Sequence, residues 1–178
     1  MDWTGYELFD PGVDGPLARV SLEQARMHFD KLMAEREERK AQLAALLARD
    51  AITLGGDDAS VSALDHWFRD RVAPRPGKPQ LMAEEWYSVA TDMGVHLGDL
   101  LVAEHPWLRW ELFVGDKHHV NHHRPVLTGF RVKHEAYNVD IDASVQVIGH
   151  RQINAMELMD EELVPFLHAL AAEATGRR

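Results

Sequence analysis

Residues 83–116 read AEEWYSVATDMGVHLGDLLVAEHPWLRWELFVGD, and the chain changes its period inside them. From about Ala83 to Glu104 the apolar positions Trp86, Val89, Ala90, Met93, Leu97, Leu100, Leu101 and Val102 follow a helix turning by about 100° per residue. They spread over more than half the circumference, so neighbours should nearly surround this helix. Gly94 and Gly98 sit four apart on it. Each costs roughly 1 kcal/mol of helix propensity relative to Ala, which predicts that another backbone or a bulky side chain approaches closely there. After Pro106 the period falls to two: Leu108, Trp110, Leu112 and Val114 alternate with Arg109, Glu111 and Phe113, as in a strand with one face on a core.

Gly115-Asp116 is a turn signal, and beyond it Val126, Thr128, Phe130 and Val132 alternate again, with room for a third strand in the histidine-rich run between. Short connections make these strands antiparallel. On the amino-terminal side, residues 1–20 are rich in Gly, Pro and Asp and read as an irregular arm. Ser21-Leu22-Glu23-Gln24 has the capping-box form and opens a helix to about Asp50, with the alternating charges of Glu35 to Lys40 expected on its solvated face. A shorter helix, capped by Ser60 or Ser62, carries Leu64, Trp67, Phe68 and Val72; the Pro-rich stretch Ala73 to Gln80 reads as a loop. A helical turn after Asp142, an amphipathic helix over Asp160 to Ala174 and a fraying tail, Gly176-Arg177-Arg178, complete the chain. The reading is an α+β fold: N-terminal helices, a small antiparallel sheet of two to four strands and a C-terminal helix, as a single domain over residues 21–175.

Composition narrows function by exclusion. With no cysteine there are no disulfides, thiolate metal sites or cysteine nucleophiles. The sequence contains no Gly-rich phosphate loop, G-x-S-x-G, H-E-x-x-H or dinucleotide fingerprint, so no cofactor is expected. No leader-like amino terminus and no run of 18 apolar residues is present, which points to the cytoplasm and away from membranes. The net charge of −10 disfavours nucleic acid. Of the segments 1–80, 81–107, 108–134 and 135–178, only 108–134 is net basic, at +3.

Three constellations are candidates for chemistry. His118, His119, His122 and His123 invite a metal, yet in a strand His118 and His122 stand about 13 Å apart, and so do His119 and His123, too far to share one ion. Glu85, Ser88, Asp92, His96 and Asp99 form a stripe about 80° wide on the long helix. In it His96 lies four residues from Asp92 and three from Asp99, within reach of either carboxylate. Facing a pocket, Asp92, His96 and Asp99 would suit acid–base work or a hard metal; facing water, they are an ordinary helix edge. Trp67, Trp86, Tyr87, Trp107 and Trp110 could line an aromatic pocket with Arg109 or Arg131 beside it, or could be core.

The runs Glu85-Trp86-Tyr87-Ser88-Val89, Leu97-Gly98-Asp99, Trp107-Leu108-Arg109-Trp110-Glu111, Pro125-Val126-Leu127-Thr128-Gly129-Phe130 and Tyr137-Asn138-Val139-Asp140 together resemble a group of bacterial, actinobacterial-type proteins of unknown function. The resemblance covers residues 20–145. It implies the domain limits and the cytosolic location and assigns no catalytic residue.

Three functions remain open. The foremost is a non-enzymatic, immunity-like or accessory protein whose acidic surface meets a basic protein partner. The second is an enzyme or ligand-binding domain built on Asp92, His96 and Asp99. The third is binding of a phosphorylated ligand or nucleic acid by Arg109, Lys117, Arg124, Arg131 and Lys133.

Overall fold

The computed structural model describes residues 1–134 and 136–176; of the tail, Arg177 and Arg178 lie outside the described residues. The elements are α1 (Leu22–Ala48), α2 (Asp58–Arg71), β1 (Pro74–Arg75), β2 (Lys78–Met82), α3 (Glu84–Glu104), β3 (Arg109–Leu112), β4 (Pro125–Thr128), α4 (Ile141–Ile153) and α5 (Leu163–Thr175). A single 3-10 turn, Leu17–Arg19, leads into α1. This is an α+β fold with helices first and a helix last.

Helix α1 starts where the capping box requires: Ser21 Oγ accepts from the Gln24 amide at 3.2 Å, and Gln24 Oε1 accepts from the Ser21 amide at 3.0 Å. Helix α2 is capped one turn earlier than expected, by Asp57, which accepts from the Ser60 amide at 2.9 Å. Helix α3 is the axis of the molecule. It packs against α1, α4 and α5, and Trp86, Val89, Ala90, Met93, Leu97 and Leu101 are buried along it. Its two glycines mark the closest contacts. A Cβ on Gly94 would lie 2.8 Å from the Asp142 Cα, and one on Gly98 would lie 2.1 Å from the Trp110 ring. The first lets the start of α4 press onto α3, and the second seats the β3 indole against it.

The strands form two separate antiparallel pairs. β3 and β4 align Arg109 with Thr128 and Leu112 with Pro125, and Leu127 extends this sheet by one bridge to Val139. The stretch Ala73 to Gln80, expected as a loop, instead folds as the hairpin β1–β2, turning through Pro76 and Gly77. Two further expectations change. The histidine-rich run is a series of turns with no strand, held by Asp116, whose side chain accepts from the His118 amide at 2.9 Å. The helical turn after Asp142 is a full helix of 13 residues, α4, N-capped by Asp140.

The core gathers Leu43, Leu47, Phe68, Met93, Ile141 and Leu163, so α1 through α5 share one apolar interior. Among the described residues, no helix is long and apolar enough to cross a membrane.

Candidate ligand-binding cleft

The charge run of α1 departs from its expected solvated face at Arg39, which is only 3% exposed. Its Nε donates to Asp92 Oδ1 and its Nη2 to Asp92 Oδ2, each at 2.7 Å, the bidentate geometry that suits guanidinium and carboxylate. The Tyr6 hydroxyl donates to Asp92 Oδ2 at 2.5 Å, the Phe9 amide to Ser88 Oγ at 2.7 Å, and Arg39 Nη1 to the Glu7 carbonyl at 2.6 Å. Burial pushes the Asp92 carboxyl up to about 6, against the pull of Arg39 and Tyr6. The same burial, with Asp92 beside it, raises the Tyr6 phenol far above its ordinary value.

The helix stripe is thus divided among three partners. Asp92 and Ser88 hold the arm, and His96 Nε2 lies 3.0 Å from the Gly55 carbonyl. Asp99 accepts from Lys40 Nζ at 2.7 Å and from Trp110 Nε1 at 3.0 Å. Since a carbonyl only accepts, His96 carries a proton on Nε2, and burial lowers its pKa. Among the described residues His96 makes no hydrogen bond to Asp92 or Asp99.

Pinned at Tyr6 and Phe9, the arm crosses α1 and forms one wall of a partly enclosed cleft of about 920 Å³. Leu8, Phe9, Val13 and Leu17 come from the arm, Tyr87, Thr91 and Val95 from α3, Trp110 from β3, and Asp142 and Gln146 from α4. Mostly apolar walls with a few placed polar groups, within roughly 300–1,000 Å³, are the ordinary make-up of small-molecule sites.

The polar groups sit at defined places. Arg124 donates through Nε to Asp140 and through Nη2 to Asp142 Oδ2 at 3.3 Å. Asp142 Oδ1 accepts from Gln146 Nε2 at 2.9 Å and shares the Thr91 hydroxyl, 3.4 Å away, with the Tyr87 carbonyl. Burial and the neighbouring Asp140 push the Asp142 carboxyl up to about 6, more than Arg124 pulls it down. Another part of the lining carries Arg75, whose Nη2 lies 3.2 Å from Glu84 Oε1; Arg75 Nε is buried and, among the described residues, without a hydrogen-bond partner. His28 Nδ1 lies 3.0 Å from the Pro11 carbonyl. That contact fixes the proton on Nδ1 and leaves Nε2 as the ring acceptor, because burial, with Arg124 and Lys31 nearby, holds the imidazole below its usual pKa.

The other singled-out residues are dispersed. Trp86 and Trp67 are core, with ring centroids 5.7 Å apart. Arg131 lies 4.0 Å over the Trp107 ring, away from the cleft lining, and Arg109 Nε donates to Glu111 at 2.5 Å. His122 and His123 stack at 3.8 Å and His119 rests on Phe113 at 4.5 Å. Among the described residues no group of three or more His, Asp or Glu side chains could hold a metal ion.

Of the sequence candidates, then, the cleft takes Trp110, Tyr87, Ser88 and Arg124. His28, Arg75, Glu84 and Asp142 were not singled out. Asp142 alone left a signal, Asp140-Ile141-Asp142 ahead of a run read only as a helical turn. No protein-family model, no curated protein and no solved structure matches the chain.

Proposed function

We propose that this protein binds a small organic molecule in the cleft between the amino-terminal arm, α3 and α4. The observation that carries the reading is the cleft itself: about 920 Å³, with apolar and aromatic walls from several elements and polar groups confined to a few positions. The arm supports it, since a wall held by a buried ion pair and a short Tyr6–Asp92 bond is preorganised, and preorganisation lowers the cost of binding. The helix stripe named as a candidate then serves the cleft indirectly. Asp92 anchors the wall through Arg39 and Tyr6, and Asp99 orients the Trp110 indole. Net charge alone supports the protein-partner reading, whereas the cleft supports ligand binding.

Native mass spectrometry of the untagged full chain, purified from its own host, tests this. The expected result is a copurified mass that is absent from a Leu17→Trp variant, whose larger side chain fills the cleft from the arm. A bare-chain mass for wild type and variant alike counts against the reading.

A further inference from the structure

The charges around the cleft do not balance. Arg75 meets Glu84 at one position. At the other, the single guanidinium of Arg124 is divided between two carboxylates, the buried Asp140 and the Asp142 side chain, which is 28% exposed. His28 contributes no compensating charge, because burial keeps it neutral at physiological pH, and Lys31 is committed to Asp10 at 3.3 Å and to Glu35 at 3.9 Å. Among these side chains one negative charge is therefore in excess beside α4.

The hydrogen bonds of Asp142 agree with the tally. An ionised carboxylate has about four acceptor positions. Oδ1 is served by Gln146 and, more distantly, by Thr91, but among the described residues Oδ2 receives only the 3.3 Å contact from Arg124. Tyr87 and Trp110 belong to the same lining, and aromatic faces attract cations.

We propose that the ligand is an organic ammonium ion, its cationic head at Asp142 and its apolar body along Leu8, Phe9, Val13, Leu17, Leu32 and Val95. The proposal rests on the cleft reading and narrows it. An N–H donor of positive charge completes the Oδ2 shell with a charge-assisted hydrogen bond and cancels the excess charge. Burial and the neighbouring Asp140 raise the Asp142 pKa against the pull of Arg124, and a bound cation would oppose both. An anionic ligand meets the opposite field at Asp142; its alternative contact, Arg75, is paired with Glu84 through Nη2 but keeps a buried Nε without a hydrogen-bond partner among the described residues, and phenylbutyrate probes that contact.

The test is calorimetric titration of the full chain with three probes of one shape: phenylbutylamine, phenylbutanol and phenylbutyrate. The amine should bind roughly tenfold or more tightly than the alcohol, the scale of one charge-assisted hydrogen bond. Its affinity should rise with pH through about 6 as Asp142 ionises. The groups facing Asp142 are Arg124 and Asp140, with Thr91 and Gln146 neutral; elsewhere in the cleft are Arg75, Glu84, Tyr87 and His28. His28 titrates below its usual value as well, so Asp142→Asn is the discriminating variant: it should reduce the amine to the affinity of the alcohol and flatten the profile. The comparison among probes on the wild type stands even where that variant folds poorly. Equal binding of amine and alcohol, or tighter binding of phenylbutyrate, overturns the ammonium assignment and leaves the cleft reading in place, provided that Leu17→Trp blocks the probe. Failure of all three probes, or binding indifferent to Leu17→Trp, overturns both.

Discussion

At the scale of single residues, Gly98 and Arg39 carry the heaviest structural demands. The Trp110 ring occupies the space a Cβ on Gly98 would need, at 2.1 Å, so Gly98→Ala must shift either the indole or α3. Overpacking of this kind costs about 1–3 kcal/mol, and chemical denaturation should register it along with a change in Trp fluorescence. Arg39→Met leaves Asp92 buried without its cation and should cost about 3–5 kcal/mol, read in the same way. The pH dependence has a definite sign. Burial holds Asp92 and Asp142 both up near 6 in the fold, against an ordinary value of 3.8, so between those values the folded chain binds more protons than the unfolded one. Their contribution to stability is present below about 3.8 and is lost as pH rises through about 6; in melts across that window Asp142→Asn should show a shallower loss than wild type. Gly98 was legible because two glycines in an enclosed helix demand a close neighbour. Arg39 was not, since its partner lies 53 residues away and alternating charges are the ordinary sign of a solvated face.

At the scale of elements, the arm is the unit that turns stability into a site. Tyr6, Phe9 and the Glu7 carbonyl fasten it to α1 and α3, and Trp3 packs edge-on against Trp86 at 5.2 Å. Tyr6→Ala removes the hydroxyl that reaches Asp92 and the ring packed beside Trp3. Hydrogen exchange should then quicken at the Phe9 amide and along the arm, while α3 keeps its protection; unchanged exchange at Phe9 would show that the wall is held by other contacts. Helices α1, α3 and α5 and the strand pair β3–β4 could be read from period and caps. The hairpin β1–β2 could not, because Pro74, Pro76 and Pro79 read as a loop, although proline is admissible at the first residue of a strand and on an edge. Helix α4 was disguised by Gly149, which lies where a Cβ would meet Met82 and Phe68, at 2.4 and 3.0 Å. The cleft was hidden with it, since Asp142 and Gln146 both belong to that helix.

At the scale of the whole molecule, an apolar interior shared by all five helices supports a cleft built from parts distant in sequence. Leu17, Tyr87, Trp110, Arg124 and Asp142 converge only once the arm, α3, the strand pair and α4 are packed. Such a site leaves no local motif, which is why a sequence without any recognised signature is compatible with a defined ligand site. The net charge of −10 favours cationic partners over the surface in general, and the cleft lining carries the carboxylates of Glu84 and Asp142. The claim that this cleft takes a small molecule is tested most directly by protein-detected NMR of the full chain with a fragment mixture, for wild type and Leu17→Trp. The account predicts amide shifts clustered at Tyr87, Thr91, Val95 and Trp110 in the wild type and abolished in the variant. Shifts scattered over the surface, or identical in both proteins, would contradict it.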